Sequence, residues 1–261
     1  MRIALLHLDL GAGPEEKNIA LLTKALTMAA EAGATWIVTP ETAMQGYFFS
    51  YQKAPASISV QPALNMEPLQ TLAAQYQVVL FLCCAETDAK TGINYNSCLV
   101  IDEQGVVIGR HRKLHSHGQG AERWATKGTD LVAFPCGNIT VGILICADSY
   151  FEANARLLQA QGAQAIVVPA AWPPGDCGGP PVIAWERCSA ASGLPVWICN
   201  QTGRGEVMDM TKAESAVIDQ GKLQFAYSGL AEAILLFEWD EMEQRLLSTE
   251  FEVIHFQGEK L

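Results

Sequence analysis

The strongest constraint on the fold is a short pattern that occurs twice in the chain. Residues 33–40 read GATWIVTP, and residues 162–169 read GAQAIVVP. In both, a Gly suits the end of a helix, the apolar residues suit a buried strand, and a Pro stops that strand. Each pattern follows an apolar run and then helical spacing, at 2–6 and 15–32 in the first half and at 139–145 and 151–161 in the second. This order predicts a layered α/β fold, whether the halves are a repeat or two ordinary αβ units.

More strands are expected between and after these halves, at 78–84, 98–102, 106–111, 195–199, 215–218, 222–225 and 231–238. Short turns that contain Gly, at 103–105 and 219–221, predict hairpins. No linker rich in Ser, Gly or Pro divides the chain. We therefore expect one domain over residues 1–261, built of stacked sheets with helices outside. Residues 240–261 are expected to form a polar C-terminal tail that is either docked or frayed.

The charge balance narrows the classes of partner. Seventeen basic residues stand against 28 acidic ones, which gives a net charge of −11. Duplex nucleic acid is bound largely through Lys and Arg on phosphates, and anionic lipid attracts basic segments. We therefore expect neither a nucleic-acid partner nor a membrane partner. A hydrophobic fraction of 49% with 17% charged residues excludes a disordered chain.

The cysteines and apolar segments predict a soluble protein of a reducing compartment. None of the eight cysteines forms a CxxC pair, and most lie in apolar runs, where a free thiol behaves as a small buried hydrophobe. The first residues show no signal-peptide cleavage region. The longest uncharged stretch, 157–175, contains three Gln and three Pro residues, so we do not expect it to span a membrane. A cytoplasmic location is the expectation.

Four residues could carry chemistry, although each has a plain alternative. Cys146 follows a buried strand and precedes a helix, where the helix start can lower the pKa of a thiol and stabilise an anion. It could equally be an inert core thiol. Glu41 could be a surface group at the end of the first strand pattern. Lys113 could be one charge of a solvated basic run, and Glu122 has the same ambiguity.

Taken together, these residues resemble the carbon–nitrogen hydrolase (nitrilase) superfamily, on its amidase-like branch, over nearly the whole chain. The matching segments are Pro40-Glu41-Thr42, Tyr95-Asn96-Ser97, Arg112-Lys113-Leu114-His115, Glu122 with Gly128, Ile145-Cys146-Ala147-Asp148, Pro169-Ala170-Ala171-Trp172-Pro173 and Asn200-Gln201-Thr202-Gly203. Each segment alone is weak, but Glu, Lys, Glu and Cys in this order, at about the family's spacings, are specific. The resemblance implies a four-layer αββα sandwich that packs through helices into homodimers or higher homo-oligomers.

The resemblance also implies an enzyme that hydrolyses a non-peptide C–N bond without a metal or an organic cofactor. In such an enzyme Cys146 is the nucleophile, Glu41 is the general base, and Lys113 with the Ala147 N–H stabilises the oxyanion, while Glu122 holds Lys113 and the substrate in register. These residue types suit an amide, which is a poor electrophile and needs a strong nucleophile, a cation and a shuttled proton. We expect a small amide, cleaved to a carboxylate and ammonia through a cysteine thioester.

The departures from the family's patterns bear on the substrate. The sequence Cys146-Ala147-Asp148 is nearer to amidases than to true nitrilases, in which Cys-Trp-Glu is typical. The alternatives are an N-carbamoyl amine or amino-acid hydrolase, or a nitrilase. In a different class, a non-catalytic relative would bind small ligands or partner proteins.

Several residues could set the shape and charge of the substrate pocket. Tyr150 stands where amidases for carboxylate-bearing substrates often have Arg. Trp172 and Trp124 are candidate apolar walls. Arg123 and Arg204 could still reach the pocket from loops and bind a carboxylate.

A histidine cluster and a loop without regular structure are two further features of the sequence. His111, His115 and His117 cluster in the sequence, but Lys113 lies among them and would repel a cation, so we do not expect a metal site. The loop at 174–180 has no helical or strand pattern and could cover the entrance to the site.

Overall fold

Side-chain alternation along the central strands builds two cores. The computed structural model describes residues 1–11, 13–52, 57–175 and 180–256. In the first strand, Ile3 and Leu5 belong to one core, Ala4 and Leu6 belong to the other, and all four are fully buried. A strand that is apolar on both faces has to be covered on both, so its sheet must lie inside a layered structure.

The described residues form fourteen strands and four α-helices. The strands are β1 (Arg2–His7), β2 (Trp36–Val38), β3 (Val79–Thr87), β4 (Asn94–Ile101), β5 (Val107–Arg112), β6 (Phe134–Cys136), β7 (Ile139–Ile143), β8 (Ala165–Pro169), β9 (Val196–Cys199), β10 (Glu214–Asp219), β11 (Lys222–Ser228), β12 (Ala233–Asp240), β13 (Arg245–Leu246) and β14 (Glu252–His255). The helices are α1 (Glu15–Glu31), α2 (Glu67–Tyr76), α3 (Glu152–Ala160) and α4 (Pro181–Ser192).

The strands form two sheets with the same internal plan. The first runs β13-β12-β1-β2-β3-β4-β5, with β14 paired to β12, and the second runs β11-β10-β9-β8-β7-β6. In the first sheet β1, β2 and β3 are parallel neighbours, followed by the antiparallel β4 and β5. In the second sheet β7, β8 and β9 are parallel and are followed by the antiparallel β10 and β11. The shared plan suggested by the two sequence patterns is present in the topology.

Helices cover the outer face of each sheet, which gives the expected αββα sandwich. Leu26 of α1 and Leu69 of α2 pack in the core on the outer side of the first sheet. Leu158 of α3 and Trp185 of α4 pack on the second sheet. Aromatic residues such as Trp197 fill the space between the sheets, where its ring meets those of Trp36, Phe237 and Trp239. None of the helices in the described residues is long and apolar enough to cross a membrane.

Two helices are not predicted by the sequence patterns. Each has a proline in its first turn, Pro68 in α2 and Pro181 in α4. Proline suits that position because the first N–H groups of a helix have no partner within the helix. In a sequence, proline is usually interpreted as the end of a helix or strand. Neither Pro68 nor Pro181 therefore indicated that a helix begins there.

The C-terminal tail is docked over its described part. β14 adds to the edge of the first sheet, with Glu252 opposite Leu236 and His255 opposite Ala233. Phe251 is buried and packs edge-on against Phe225. Residues 257–261 lie outside the described residues.

The helix α3 provides a matched test of this packing. Leu158 is fully buried against Gly142 of β7, whereas its neighbour Leu157 is 54% exposed. Leu158→Ala leaves a cavity, so we expect the free energy of unfolding to fall by about 2–5 kcal/mol. Leu157→Ala should change it by less than about 0.5 kcal/mol. Urea denaturation measures both variants, and equal losses would contradict the packing of α3 on the second sheet.

Candidate active site

Cys146 lies at a sharp turn between the second sheet and α3. β7 ends at Ile143, and Cys146–Tyr150 forms a short 3₁₀-helix before α3 begins. The backbone of Cys146 has a φ of 47°, in the left-handed region that residues with a side chain adopt only at a cost. A strained turn that presents a nearly buried thiol at a strand–helix junction is a geometry typical of nucleophiles.

Asp148 connects this turn to the chain that follows β5. Its Oδ2 accepts hydrogen bonds from the Ile145 N–H (3.2 Å) and from His111 Nε2 (2.9 Å). Its Oδ1 accepts from the N–H groups of Leu114 (3.0 Å) and His115 (2.8 Å). Burial alone would raise the pKa of Asp148, but hydrogen bonds from the two histidines hold it well below its usual range. An ionised, buried carboxylate therefore joins the two chain segments.

Two of the three clustered histidines thus contact a carboxylate. Besides its N–H, His115 places its ring Nδ1 3.1 Å from Asp148 Oδ1, and the ring stacks on Phe151 with 3.7 Å between centroids. Within the described part of the chain, no group of three or more His, Cys, Asp or Glu residues is arranged to hold a metal ion.

Glu41 is buried just beyond β2, where the ends of the two sheets meet. Its N–H donates to the Ala170 carbonyl (3.3 Å), and its Oε2 accepts from the Ala171 N–H (3.0 Å), both just beyond β8. Its Oε1 accepts from Asn96 Nδ2 (2.7 Å) and from Lys113 Nζ (2.7 Å). The strand ends of the two sequence patterns therefore contact each other at Glu41.

Lys113 is the centre of a charged cluster that it forms with Glu41 and Glu122, and it is 1% exposed. Its Nζ donates to Oε1 of Glu41 and to Oε1 of Glu122. Glu122 is fixed in turn, because its Oε2 accepts the N–H of His117 (2.8 Å). The Lys113 N–H donates to the carbonyl of Asn96 (2.8 Å), so the backbone of Lys113 is also held.

Burial and neighbouring charges set the protonation states of these groups. Burial raises the pKa of Glu41 to about 7; Lys113 opposes the rise and Glu122 adds to it. Burial would lower the pKa of Lys113, but the nearby anionic groups, Glu41 foremost, hold it well above its usual value. Burial would raise the pKa of Glu122, but Lys113 lowers it. Near neutral pH the cluster contains a charged Lys113, an ionised Glu122 and a Glu41 that exchanges between its two forms.

The thiol of Cys146 differs from the expectation that a helix start lowers its pKa. Burial raises that pKa well above its usual value, and Glu41 adds to the rise. Lys113 and a hydrogen bond from the Ala171 N–H oppose the rise only in part. The resting side chain is therefore a neutral thiol, which needs a base at the moment it reacts.

A cavity of about 260 Å³ opens onto this thiol. The residues that line it are Tyr47, His117, Cys146, Ala147, Tyr150, Phe151, Ala171, Trp172 and Pro173. Most are apolar or aromatic, and none of the described lining residues is Lys, Arg, Asp or Glu. Pockets for drug-sized ligands measure roughly 300–1,000 Å³, so this one suits a small molecule. Two cavities of about 450 Å³ are larger, but neither is lined by Glu41, Lys113, Glu122 or Cys146.

The structure brings three of the four proposed substrate-binding residues to this cavity. Ala147, Tyr150 and Trp172 line it, and the Trp172 backbone is held on both sides by Asn200, through its N–H to Oδ1 (3.1 Å) and its carbonyl to Nδ2 (2.9 Å). Trp124 is not among the lining residues. Its ring packs against Phe49, with 5.1 Å between centroids.

The sequence did not identify three of the aromatic or basic lining residues as parts of a substrate pocket. Tyr47 and Phe151 gave no signal beyond their closeness in sequence to Glu41 and Cys146, and His117 drew attention only as a metal ligand. Ala171 and Pro173 flank Trp172 in a segment that matched the family. Of the loop expected to cover the entrance, residues 176–179 lie outside the described residues.

These parts together fit nucleophilic acyl transfer. A thiol opens onto a cavity, a buried carboxylate can take its proton, and an ammonium group can face a developing oxyanion. An αββα sandwich that gathers Cys, Glu, Lys and Glu in this way has the groups that a hydrolase with a thiol nucleophile requires.

The chain belongs to the carbon–nitrogen hydrolase family, whose model matches residues 2–231. It is therefore a hydrolase that acts on C–N bonds other than peptide bonds. A probable nitrilase of Schizosaccharomyces pombe is 25% identical over 228 residues, which cover 85% of this chain and 75% of the relative. An N-carbamoylputrescine amidase of Solanum tuberosum is 26% identical over 245 residues, which cover 85% of this chain and 81% of the relative.

A solved structure shows the same fold. The amidase from Nesterenkonia sp. AN1, as a mutant in complex with butyramide, is 22% identical and superposes with a TM-score of 0.78. The match covers 90% of this chain and 89% of that one.

The pH dependence of thiol alkylation tests the pairing of Cys146 with Glu41. We expect the rate at which iodoacetamide alkylates Cys146 to rise with pH through about 7, because the neutral thiol needs an ionised Glu41 as its base. Mass spectrometry of the Cys146 peptide measures this rate. Glu41→Gln should keep only slow alkylation without this rise and should show no steady turnover. Normal turnover by Glu41→Gln would exclude Glu41 as the base.

Proposed function

We propose that the protein is an amidase that cleaves a small amide to a carboxylate and ammonia. The observation that carries this function is the position of Cys146, which lines a small apolar cavity and lies close enough to Glu41, Lys113 and Glu122 for their charges to shift its pKa. The butyramide complex of an amidase with the same fold supports a small neutral amide as the substrate class.

The first half of the reaction forms a thioester. Glu41 takes the proton of Cys146 as the sulfur attacks the carbonyl carbon of the amide. The carbonyl oxygen becomes an oxyanion that faces Lys113 Nζ and the Ala147 N–H. Glu41 then gives the proton to the nitrogen, the C–N bond breaks, and ammonia leaves.

The second half hydrolyses the thioester with the same groups. Glu41 takes a proton from water as the water oxygen attacks the thioester carbon. The C–S bond breaks, the carboxylic acid leaves, and the proton returns to the sulfur of Cys146. Each proton taken is returned, so no cofactor is required.

The two buried carboxylates explain how the ammonium group of Lys113 is oriented. An ammonium group has three N–H donors. Glu41 and Glu122 accept two of them, which leaves the third for the oxyanion. Glu122 is therefore proposed to orient Lys113, and its own orientation depends on the His117 N–H.

Replacement of the nucleophile is the direct test of this mechanism. Cys146→Ala should reduce ammonia release to the level without enzyme, while circular dichroism and thermal unfolding show that the fold is retained. Cys188→Ala is the matched control, because Cys188 is also buried but lies in α4 and does not line the cavity. Ammonia release by Cys146→Ala near the wild-type rate would refute the mechanism.

The arginines that could bind a carboxylate substrate do not line the cavity, which favours neutral substrates. Arg123 lies over the ring of Tyr51, and Arg204 is largely exposed beside Asp209. Arg187 approaches Tyr150, with 5.8 Å between the guanidinium carbon and the ring centroid, but it is paired with Glu152 (2.8 Å). None of these arginines is a lining residue of the cavity.

We expect butyramide to be preferred over succinamate in kcat/KM. A fixed arginine is the side chain best suited to hold a distal carboxylate, and the described lining of the cavity contains none. A tenfold preference corresponds to about 1.4 kcal/mol of differential transition-state stabilisation. Ammonia release from the matched pair measures it, and Tyr150→Arg should move the ratio toward succinamate. A clear preference of the wild type for succinamate would contradict this substrate class.

The N-carbamoylputrescine amidase relative favours a second candidate, an N-carbamoyl amine hydrolase. Such substrates release carbon dioxide as well as ammonia, so a panel of amides, nitriles and N-carbamoyl compounds assayed for both products distinguishes the two. A non-catalytic binder would release neither and would show no rapid alkylation of Cys146.

The quaternary structure, location and domain organisation are part of the same proposal. We expect one carbon–nitrogen hydrolase domain that forms homodimers or higher homo-oligomers through helices, and the exposed Ile183 on α4 is consistent with such packing. Seven cysteines of the described chain are free and buried, which is consistent with the reducing cytoplasm.

A further inference from the structure

Asn96 lies within the charged cluster and has no role in the mechanism above. It belongs to β4 and is fully buried. Its Nδ2 donates to Glu41 Oε1 at 2.7 Å and lies 3.5 Å from Glu122 Oε1. Its Oδ1 accepts a hydrogen bond from the Thr42 hydroxyl at 3.4 Å, which fixes the orientation of the amide. The Asn96 amide nitrogen therefore lies within hydrogen-bond distance of both carboxylates.

The same two carboxylate oxygens are shared by two donors. Oε1 of Glu41 and Oε1 of Glu122 both accept from Lys113 Nζ, and both lie within hydrogen-bond distance of Asn96 Nδ2. Asn96 also accepts the backbone N–H of Lys113 (2.8 Å), so it contacts all three members of the cluster.

This arrangement has an electrostatic consequence. Two ionised carboxylates beside one ammonium leave one uncompensated negative charge in a buried site, which favours uptake of a proton. The Asn96 amide adds donors without adding a charge, and donors stabilise the ionised form of a carboxylate. Without them, Glu41 would hold its proton to higher pH, and a smaller fraction of it would be ionised near neutral pH.

We propose that Asn96 is a positioning residue of the reaction, whose amide bridges Glu41 and Glu122 so that Glu41 remains available as an ionised base. The other titratable groups that act on Glu41 are Lys113, Glu122, Tyr47, Cys83 and Cys146. For turnover this role rests on the proposed amidase function. For alkylation of Cys146 it does not, because that reaction needs only the thiol and its base.

The test compares pH profiles of Asn96→Ala and Ser97→Ala. Ser97 is the matched control, since it is the next residue on β4, is also fully buried, faces the opposite side of the strand, and its Oγ has no hydrogen-bond partner among the described residues. We expect Asn96→Ala to raise the midpoint of the Cys146 alkylation profile by about one pH unit, which lowers the rate about fivefold at pH 7 and about tenfold well below the wild-type midpoint. At high pH the rate should approach that of the wild type. Ser97→Ala should leave the midpoint unchanged.

A second variant keeps the test valid if Asn96→Ala does not fold. Asn96→Asp preserves the size of the side chain and an acceptor for Thr42, but it replaces the amide donors with a third carboxylate. We expect its midpoint to rise at least as far. A uniform loss of rate with an unchanged midpoint would show a purely structural role and overturn the inference, as would an equal shift in Ser97→Ala.

Ammonia release by the same variants separates this inference from the amidase proposal. If the alkylation midpoint moves but no amide of the panel is hydrolysed by the wild type, the role of Asn96 stands and the amidase proposal fails. If amides are hydrolysed and the midpoint is unmoved in both Asn96 variants, the role of Asn96 is refuted and the amidase proposal stands.

Discussion

The buried ammonium of Lys113, shared by Glu41 and Glu122, is the interaction on which the rest of the site depends. Removing three ionisable groups from water is costly, and the cost is offset only when each group has partners in good geometry. Asn96, the Ala171 N–H and the His117 N–H supply hydrogen bonds to the carboxylates beyond the one cation. The fold around them can be understood as the scaffold that holds these donors in place.

The same burial sets the protonation state of Cys146, the proposed nucleophile. A thiol beside a carboxylate in an apolar site is stabilised in its neutral form, and the pKa of Cys146 is raised accordingly. A permanent thiolate would be a better nucleophile but would add another negative charge to the cluster. In the proposed mechanism, the proton stays on sulfur until Glu41 accepts it, which avoids that charge. The proton also remains available for the departing nitrogen, which cannot leave easily without it.

Much of the site could be predicted from the sequence, because residue type and order carry the information. Glu41 and Cys146 stand directly after buried strands, and the structure brings both, with Lys113 and Glu122, to one cluster. The two Gly-to-Pro patterns likewise indicated an αβ plan that both sheets follow. Such features are local in sequence and can be recognised without knowledge of tertiary contacts.

The features that the sequence did not reveal depend on burial and on side-chain direction. The raised pKa of the Cys146 thiol follows from its surroundings and reverses the local effect of a helix start. Trp124 lies two residues after Glu122, yet its ring packs against Phe49 while Glu122 turns toward Lys113. Asp148 contacts His111 in β5 and His115 just beyond it. These residues are far from Asp148 in the sequence, and no sequence pattern indicated the contact.

The pairing of two similar halves explains why the site lies at the seam between the sheets. The first sheet and the loops that follow its strands supply Glu41, Lys113 and Glu122, whereas the second supplies Cys146 and the Ala171 N–H. Neither half contains both the proposed base, Glu41, and the proposed nucleophile, Cys146, so their separation is set by how the sheets are stacked. Two hydrogen bonds at Glu41, its N–H to Ala170 and its carboxylate to the Ala171 N–H, tie the strand ends together. Because the Ala171 N–H also lowers the pKa of the Cys146 thiol, one backbone N–H beyond β8 acts on both the proposed base and the proposed nucleophile.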